Sequence, residues 1–270
     1  MEINAYAKIN MTLDVLRKRQ DGYHDLRGIM CAVSVSDRVR IEPASEILFL
    51  SDIPLPKNNT AVRAAGLFME KTRKGAAIHI TKGIPSEAGM GGASADAAAV
   101  LRGMNELYGG IVEESRLYEM GLAIGADVPF CLMGGCAVAE GVGELLTPLP
   151  TPKLDLLIVK GSGGVSTGAL FKALKLPVRH PDTDAAIQAI QRGEMTALAN
   201  CAENALEAPA SAILPEIAEN KAALLRNGAI SAFMTGSGAA VVGIFRDGHT
   251  AQQAKKAFAH LPFACVCHTL

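Results

Sequence analysis

The stretch Ile84-Pro-Ser-Glu-Ala-Gly-Met-Gly-Gly-Ala-Ser-Ala-Asp96 lies between an apolar run at 76–81 and an alanine-rich segment. The run is typical of a strand, and the alanine-rich segment is typical of a helix. Glycines let the backbone approach a bound group closely, and the free N–H groups at a helix start attract anions. The stretch therefore predicts a phosphate site at a strand–turn–helix junction. A tight turn without a ligand is the alternative, and the stretch matches neither the Walker A loop nor the dinucleotide fingerprint.

Composition and charge limit the classes of protein to which this chain can belong. The 270 residues are 49% hydrophobic, which is enough for one large domain or two small domains with full cores. A net charge of −1 and the lack of tryptophan argue against binding to nucleic acid or to an anionic membrane. The apolar runs are too short to cross a bilayer, and the first residues do not read as a signal peptide. The six cysteines are scattered without zinc-site or redox spacing, so we expect a cytoplasmic protein.

Periodicity predicts the elements of the first half of the chain. Strict alternation of apolar and polar residues over 3–15 predicts a long, half-buried strand, and a second strand is expected over 29–41. Asn59 is expected to cap a helix that ends near residue 71. The other predicted elements are a strand at 76–81, a helix at about 94–108 that Gly109-Gly110 stops, and a helix at about 113–124 that ends at Gly125.

The segment Leu149-Pro-Thr-Pro-Lys153 is the best candidate for a linker, and we expect one domain at 1–152 and another at 153–270. Ser166 or Thr167 is expected to cap a short helix that ends near residue 174. The other elements predicted after the linker are a strand at 154–159, helices at about 183–207 and 215–227, strands at 230–234 and 240–245, a helix at 249–260 and a strand at 263–268. This order favours an antiparallel sheet with helices on one face.

Lys8 and Asn10 lie on one face of the first predicted strand. Residues i and i+2 of a strand point to the same side, so this cation and this amide could hold a phosphate or orient a hydroxyl group. An ordinary solvated strand face is the alternative, and the spacing alone favours it.

Three further segments could carry chemistry. In Asp21-Gly-Tyr-His24 an aromatic ring and an imidazole follow a turn, and they could stack on a flat ligand or form a simple turn. In Gly125-Ala-Asp-Val-Pro-Phe130, Asp127 could cap a helix or accept a hydroxyl proton near the phosphates. Met234-Thr-Gly-Ser-Gly-Ala-Ala240 is a second glycine loop between two strands, which could be a plain hairpin or a second backbone cradle for a ligand.

In their order along the chain, these segments resemble the GHMP kinase superfamily of small-molecule kinases. The segments that carry the resemblance are Lys8-Ile-Asn10, Asp21-Gly-Tyr-His24, the glycine loop at 85–96, Gly125-Ala-Asp-Val-Pro-Phe130 and Thr235-Gly-Ser-Gly238. The first two together are typical of the branch whose substrate is a cytidine-diphosphate-linked methylerythritol. Glu140-Gly-Val-Gly-Glu144 with Thr147-Pro148 also fits this branch. The resemblance extends from about residue 6 to residue 245.

The resemblance implies an α+β fold of two-layer α/β domains. The N-terminal domain would be similar to the second domain of ribosomal protein S5 and would bind ATP, and the C-terminal domain would be ferredoxin-like. It implies phosphorylation of the 2-hydroxyl group of the cytidine-linked substrate, with ATP and Mg²⁺ as cofactors. The expected partners are therefore small molecules and not nucleic acid or membrane.

Site residues can be carried over from the resemblance one position at a time. Lys8 and Asp127 match the catalytic pair, with Asp127 as the base. On the substrate side, Asn10 and Thr167 match polar positions, Tyr23 would stack on the cytosine, His24 would read its edge, and Phe171 would be the second aromatic. The implied ATP-binding residues are Lys82, Pro85, Ser86, Glu87, Ala88, Gly89, Met90, Gly91, Gly92, Ala93, Ser94 and Ala95. Ser94 is also the implied contact to the metal ion.

The glycine loop departs from the family pattern at three positions. Glu87 and Ala93 replace glycines, and Ala95 replaces the second serine. A carboxylate at position 87 should weaken nucleotide binding unless it points away or helps to hold a metal ion. The Asn204-Ala-Leu-Glu207 segment also departs from the usual pattern, because alanine replaces an aspartate.

Two other functions remain open from the sequence. One is a different GHMP kinase, of the homoserine or mevalonate type, although Tyr23, His24 and Phe171 argue against a substrate that has no base. The other is a catalytically silent relative that binds a ligand, which the altered glycine loop favours.

Overall fold

The computed structural model describes residues 1–176 and 178–270. The strands are β1 (Glu2–Lys18), β2 (His24–Ala44), β3 (Ile47–Ser51), β4 (Gly75–Thr81), β5 (Cys136–Gly141), β6 (Leu145–Leu149), β7 (Asp155–Lys160), β8 (Glu203–Asn204), β9 (Ser231–Met234), β10 (Val241–Phe245) and β11 (Phe263–His268). The helices are α1 (Thr60–Thr72), α2 (Gly92–Leu107), α3 (Glu114–Ile124), α4 (Val128–Met133), α5 (Thr167–Ala173), α6 (Thr183–Arg192), α7 (Met195–Cys201), α8 (Glu207–Ile213), α9 (Glu216–Arg226) and α10 (Gly248–Lys255). This mixture of helices and sheets is the predicted α+β class.

The described residues form two compact units, each built from separate segments of the chain. Unit 1 contains 1–7, 35–84 and 91–134, and unit 2 contains 8–34, 85–90 and 135–270. Both β1 and β2 therefore supply residues to each unit. This grouping by compactness differs from the domain division expected after residue 152, which stays a prediction.

In unit 1, β4 pairs with β3 in parallel and with the Arg38–Ala44 half of β2 antiparallel. Helices α1, α3 and α4 pack on α2, in which Ala95 and Ala97–Ala99 are buried. Small side chains on α2 let the neighbouring helix axes approach closely. Helix α1 begins as predicted, because the Asn59 side chain accepts a hydrogen bond from the N–H of Val62.

In unit 2, the strand order β11-β7-β10-β9 forms an antiparallel sheet, as predicted. Strand β8 pairs in parallel with β1, with Glu203 opposite Thr12. Strand β5 pairs with the Leu26–Cys31 half of β2, and β6 pairs with β5. Helices α9 and α10 cover the four-stranded sheet and bury an apolar core that includes Leu157, Val159 and Phe258.

The prediction that β1 is half-buried is wrong from Lys8 onward, because residues 8–15 are all buried. Residues far along the chain cover its polar face. Thr183 Oγ1 donates a hydrogen bond to Thr12 Oγ1 at 3.1 Å, and His180 Nδ1 lies 2.7 Å from Asp14 Oδ1. Alternation reveals that one face is polar, but it does not reveal what packs there.

The continuous helix predicted over 183–207 is also wrong. Gly193 adopts φ +70° and ends α6, and Asn204 belongs to β8, so the segment divides into α6, α7 and the start of α8. Strands β3, β5 and β6 are absent from the predicted elements, because they are short and β6 contains Pro148. Helix α2 begins at Gly92, two residues before the predicted start.

Candidate active site

The helical part of the glycine loop, Gly91–Ala95, belongs to unit 1. Gly91 occupies the N-cap position of α2 with φ +69°, a conformation that favours glycine. Its carbonyl accepts hydrogen bonds from the N–H groups of Ser94 and Ala95, at 3.0 and 2.8 Å. No side chain among the described residues caps this helix. The first N–H groups of α2 therefore form the type of helix start that binds anions.

Below this helix start lies a buried charged group, which we call the carboxylate–lysine triad: Asp37, Lys82 and Asp96. The Lys82 ammonium donates hydrogen bonds to both carboxylates, and its Nζ lies 2.7 Å from Asp96 Oδ2. Asp37 has no exposed surface, and its Oδ1 accepts the N–H groups of Gly83 and Ile84 at 2.7 Å each. Asp37 is not among the predicted site residues, although it occupies an apolar position in the alternation Val33, Val35, Asp37, Val39 and Ile41.

Burial and charge act in opposite directions within the triad. Burial raises the pKa of Asp96 to about 7, against the attraction of Lys82. Burial lowers the pKa of Lys82, but the two neighbouring carboxylates, Asp96 first, outweigh this and raise it overall. Lys82 thus stays charged at neutral pH, whereas Asp96 titrates near neutrality.

The first part of the glycine loop, Pro85–Met90, belongs to unit 2 and is held by backbone contacts. The N–H groups of Ala239 and Ala240 donate to the carbonyls of Glu87 and Ala88, at 2.9 and 3.2 Å. Gly89 adopts φ +71°, and a Cβ on it would lie 2.2 Å from the carbonyl oxygen of Thr235. The second glycine loop is therefore a hairpin between β9 and β10 that supports the first loop.

Glu87 takes a left-handed conformation, with φ +51°. Its carboxylate lies over Gly164, where a Cβ would come within 2.0 Å of Glu87 Oε2. The side chain is thus directed to the segment 161–164. Ala95 is 2% exposed, so its methyl group packs inside unit 1.

Lys8 and Asn10 form a buried pair on β1, 5% and 2% exposed. Lys8 Nζ donates to Asn10 Oδ1 at 2.7 Å, and the N–H of Asn10 donates to Thr235 Oγ1 at 2.9 Å. The N–H of Lys8 donates to the carbonyl of Met90 at 3.0 Å. The alternative of a solvated strand face is therefore wrong, and these two polar groups lie beside the glycine loop.

The Asn204-Ala-Leu-Glu207 segment anchors the second glycine loop. Asn204 Nδ2 donates to the carbonyls of Met234 and Gly236 at 2.8 Å each, and Glu207 Oε2 accepts the N–H of Met234 at 2.8 Å. Two side chains thus fix the hairpin that supports Pro85–Met90. The family resemblance includes this segment but predicts no contact for it.

The predicted substrate residues lie in unit 2, and two of them meet. The His24 and Phe171 ring centroids are 5.1 Å apart with a 31° tilt. Tyr23 is 65% exposed on the turn, where Asp21 Oδ1 accepts its N–H. Burial, followed by the charge of Lys18, lowers the pKa of His24, which keeps its imidazole neutral at neutral pH. Thr167, the first residue of α5, shares a hydrogen bond of 2.6 Å with Ser237 of the second glycine loop.

Asp127 lies in unit 1, directly before α4. It occupies the N-cap position, but its side chain makes no capping hydrogen bond with the helix among the described residues. Ser94 is near this segment, because a Cβ on Gly125 would lie 4.0 Å from Ser94 Oγ. Lys8 belongs to the other unit, and its pairing with Asp127 stays a prediction.

In residues 1–176 and 178–270, no three His, Cys, Asp or Glu side chains are grouped so that they could hold a metal ion. In the same residues, no helix combines the length and the apolar character needed to span a membrane.

Comparisons with known proteins agree with the arrangement of these segments. The GHMP kinases N terminal domain matches residues 59–135, and the GHMP kinases C terminal domain matches residues 186–262. Over 264 residues the chain is 44% identical to a 4-diphosphocytidyl-2-C-methyl-D-erythritol kinase of Caldicellulosiruptor saccharolyticus, covering 94% of this chain and 91% of the relative. It is 43% identical over 256 residues to the kinase of the same name from Acetivibrio thermocellus, covering 92% and 90%.

Solved structures are similar over the whole chain. A crystal structure of 4-(cytidine 5'-diphospho)-2C-methyl-D-erythritol kinase matches with a TM-score of 0.87 and 33% identity, covering 100% of this chain and 99% of the other. A homoserine kinase from Cytophaga hutchinsonii matches with a TM-score of 0.73 and 20% identity, covering 100% and 94%. The second likeness concerns the fold alone.

Proposed function

The chain belongs to the GHMP kinase family, and we propose that it transfers the γ-phosphoryl group of ATP to the 2-hydroxyl group of 4-diphosphocytidyl-2-C-methyl-D-erythritol. The observation that carries this proposal is the 44% identity, over 94% of the chain, to a kinase named for that substrate. The contact between the His24 and Phe171 rings supports it further, because the resemblance implies that both residues bind the cytidine.

The proposed role of the glycine loop is to hold the ATP phosphates. Phosphoryl transfer depends mainly on positioning and on stabilisation of the developing charge. The N–H groups and the dipole at the start of α2 supply partial positive charge without a titrating group. Gly91 suits this role, because its left-handed conformation turns the backbone into the helix without a side chain near the anion.

Asp127 and Lys8 are the proposed catalytic residues. Asp127 would accept the proton of the substrate 2-hydroxyl group. The hydroxyl oxygen would at the same time form a bond to the γ-phosphorus of ATP, while the bond from that phosphorus to the leaving ADP oxygen breaks. The Lys8 ammonium would stabilise the negative charge on the transferring group. Its bond to Asn10 supports this role, because it holds the Lys8 side chain in a single direction.

The cytidine end of the substrate is assigned to the aromatic residues of unit 2. Tyr23 would stack on the cytosine, and Phe171 would cover the other face, since flat rings gain from offset stacking. His24 would read the edge of the base with a neutral imidazole, consistent with its lowered pKa. Thr167 and Asn10 would orient the rest of the substrate.

Mg²⁺ is proposed as the second cofactor, to neutralise phosphate charge. In kinase sites Mg²⁺ keeps several waters and takes substrate phosphate oxygens together with few protein ligands. Ser94 fits this chemistry, because its hydroxyl lies in the first turn of α2 and is partly exposed. We place the reaction in the cytoplasm, because the six cysteines are scattered along the sequence without the spacing of a disulfide framework.

The test is a coupled ADP-release assay with ATP and Mg²⁺. 4-Diphosphocytidyl-2-C-methyl-D-erythritol, homoserine and mevalonate are compared as substrates at equal concentration. We expect turnover only with the cytidine-linked substrate. Turnover with homoserine or mevalonate instead would refute the proposed substrate, and no turnover from folded protein that still binds CDP would favour a silent relative.

The roles are tested with Asp127→Asn, which removes the base but keeps the size of the side chain. We expect turnover to fall by about 10²–10⁴-fold, with thermal unfolding and CDP affinity unchanged. Glu119→Gln is the matched control, since it removes an exposed carboxylate on α3. Near-normal turnover of a folded Asp127→Asn protein would exclude Asp127 as the base.

A further inference from the structure

The carboxylate–lysine triad has no function in the reaction as proposed so far. Resemblance assigns Lys82 to the nucleotide, but in the structure its ammonium is engaged by the carboxylates of Asp37 and Asp96. The Lys82 side chain is only 10% exposed and the Asp37 side chain is fully buried. Burying a charge is costly unless it is paired, so the arrangement must be maintained by these mutual contacts.

The contacts of the triad fix both ends of the glycine loop, which connects β4 to α2. Asp37 Oδ1 accepts two adjacent N–H groups, those of Gly83 and Ile84, immediately before the loop. Lys82 connects this point to Asp96, the fifth residue of α2. A Cβ on Gly92 would lie only 3.1 Å from Ile84 and 3.7 Å from Lys82 Nζ, so the first residue of the helix rests directly on this group.

We propose that Asp37 is a positioning residue for the ATP phosphates and that Lys82 acts through it rather than on the nucleotide. Asp37 fixes where the chain leaves β4, and Lys82 transmits that position to the start of α2. The N–H groups of α2 are thereby held in place before ATP arrives, which lowers the ordering cost of binding. The inference rests on the proposed function, since it concerns the same ATP site.

The experiment compares Asp37→Asn and Asp37→Ala with the wild-type chain by calorimetric titration with ADP and, separately, with CDP. The amide of Asp37→Asn keeps an acceptor for Gly83 and Ile84 but loses the charge that holds Lys82. Ile78→Ala, a buried change on β4 away from the loop, is the control for lost stability. The KM for ATP and kcat are measured on the same proteins.

We expect Asp37→Ala to raise the Kd for ADP and the KM for ATP by about tenfold or more. Asp37→Asn should show a smaller rise, and CDP affinity should stay within about twofold of the wild type for both. Ile78→Ala should lower the unfolding temperature without changing ADP affinity. Normal ADP affinity in either folded Asp37 variant, or an equal loss of ADP and CDP affinity, would overturn the inference.

A double-mutant cycle decides how Lys82 acts. If Lys82→Met works through Asp37, combining it with Asp37→Asn should add little to the loss of ADP affinity. Additive losses would mean that Lys82 contacts the nucleotide directly and would overturn that part of the proposal. If the wild-type chain itself binds no ADP and phosphorylates no substrate, the proposed function fails. Wild-type binding with unaffected Asp37 variants refutes only the positioning role.

Discussion

The two parts of the glycine loop are held by different kinds of interaction. Pro85–Met90 is held by backbone hydrogen bonds and by the close approach of Gly89 to Thr235. Gly91–Asp96 is held by the charged side chains of the triad. Backbone contacts do not depend on the side chain, so the Glu87 carboxylate can be directed to the segment 161–164 without disturbing them. In the charged contacts, removal of one side chain leaves a buried charge without its partner, which is costly. The strength of these contacts also depends on pH.

The largest loss of stability is expected for Lys82→Met, which removes the cation of the triad. The substitution keeps the unbranched shape and most of the length of the side chain, and it leaves two carboxylates facing each other in a buried site. We expect the free energy of unfolding to fall by about 3–5 kcal/mol, measured by urea denaturation. Arg116→Met, which removes an exposed ion pair with Glu119, should cost less than about 1 kcal/mol. Equal effects would show that the triad is no more important than a surface pair.

Gly89→Ala tests the part of the loop, Pro85–Met90, that is held by backbone contacts. Both Gly89 and Gly110 have positive φ, so alanine at either position costs about 1–2 kcal/mol of backbone strain. A Cβ at Gly89 also meets the Thr235 carbonyl, whereas a Cβ at Gly110 has nothing within 4 Å. Gly89→Ala should therefore destabilise the protein by about 1–3 kcal/mol more than Gly110→Ala does. The comparison is made by thermal unfolding, and equal losses would contradict the close packing of the two loops.

The pH dependence of stability, compared between the wild type and Asp96→Asn, tests the charged part of the loop separately from the backbone part. The folded protein binds the Asp96 proton more tightly than the unfolded chain, since its pKa rises from 3.8 to about 7. The protonated form thus contributes stability that is fully present below pH 3.8 and is lost as the pH rises through about 7. Between about pH 5.5 and 7 the wild type should lose about 1–2 kcal/mol relative to Asp96→Asn. Parallel stability curves from pH-dependent urea denaturation would show that Asp96 is not the titrating group.

The smallest effect is expected for Glu87→Gln. Because the Glu87 carboxylate lies against Gly164, removing its charge should change the Kd for ADP by less than about twofold. Calorimetric titration at low ionic strength makes the test most sensitive. A gain in affinity of about tenfold would show that the carboxylate faces the phosphates, as the sequence alone left open.

Local pattern predicted the glycine loop, the capped helix α1 and the antiparallel sheet, because each depends on neighbouring residues. It failed where distant residues decide the environment. The polar face of β1 reads as solvated until Thr183 and Thr235 cover it, and the break at Asn204 depends on pairing with β1. Asp37 had a local signal, a carboxylate at an apolar position of a strand, but its partners Lys82 and Asp96 lie 45 and more residues away.

The burial of β1 has a consequence for the synthesis of this protein on the ribosome. Residues 8–15 emerge early, but the residues that cover their polar face extend to Thr235. At the usual speed of translation, this strand waits about 10–40 s for its last partners. Half of its side chains are apolar, so the waiting segment resembles a site that chaperones bind. We therefore expect chaperones to bind a nascent chain that is stopped before the second glycine loop. The chaperones should leave β1 only late in synthesis, when that loop has emerged and can cover the strand.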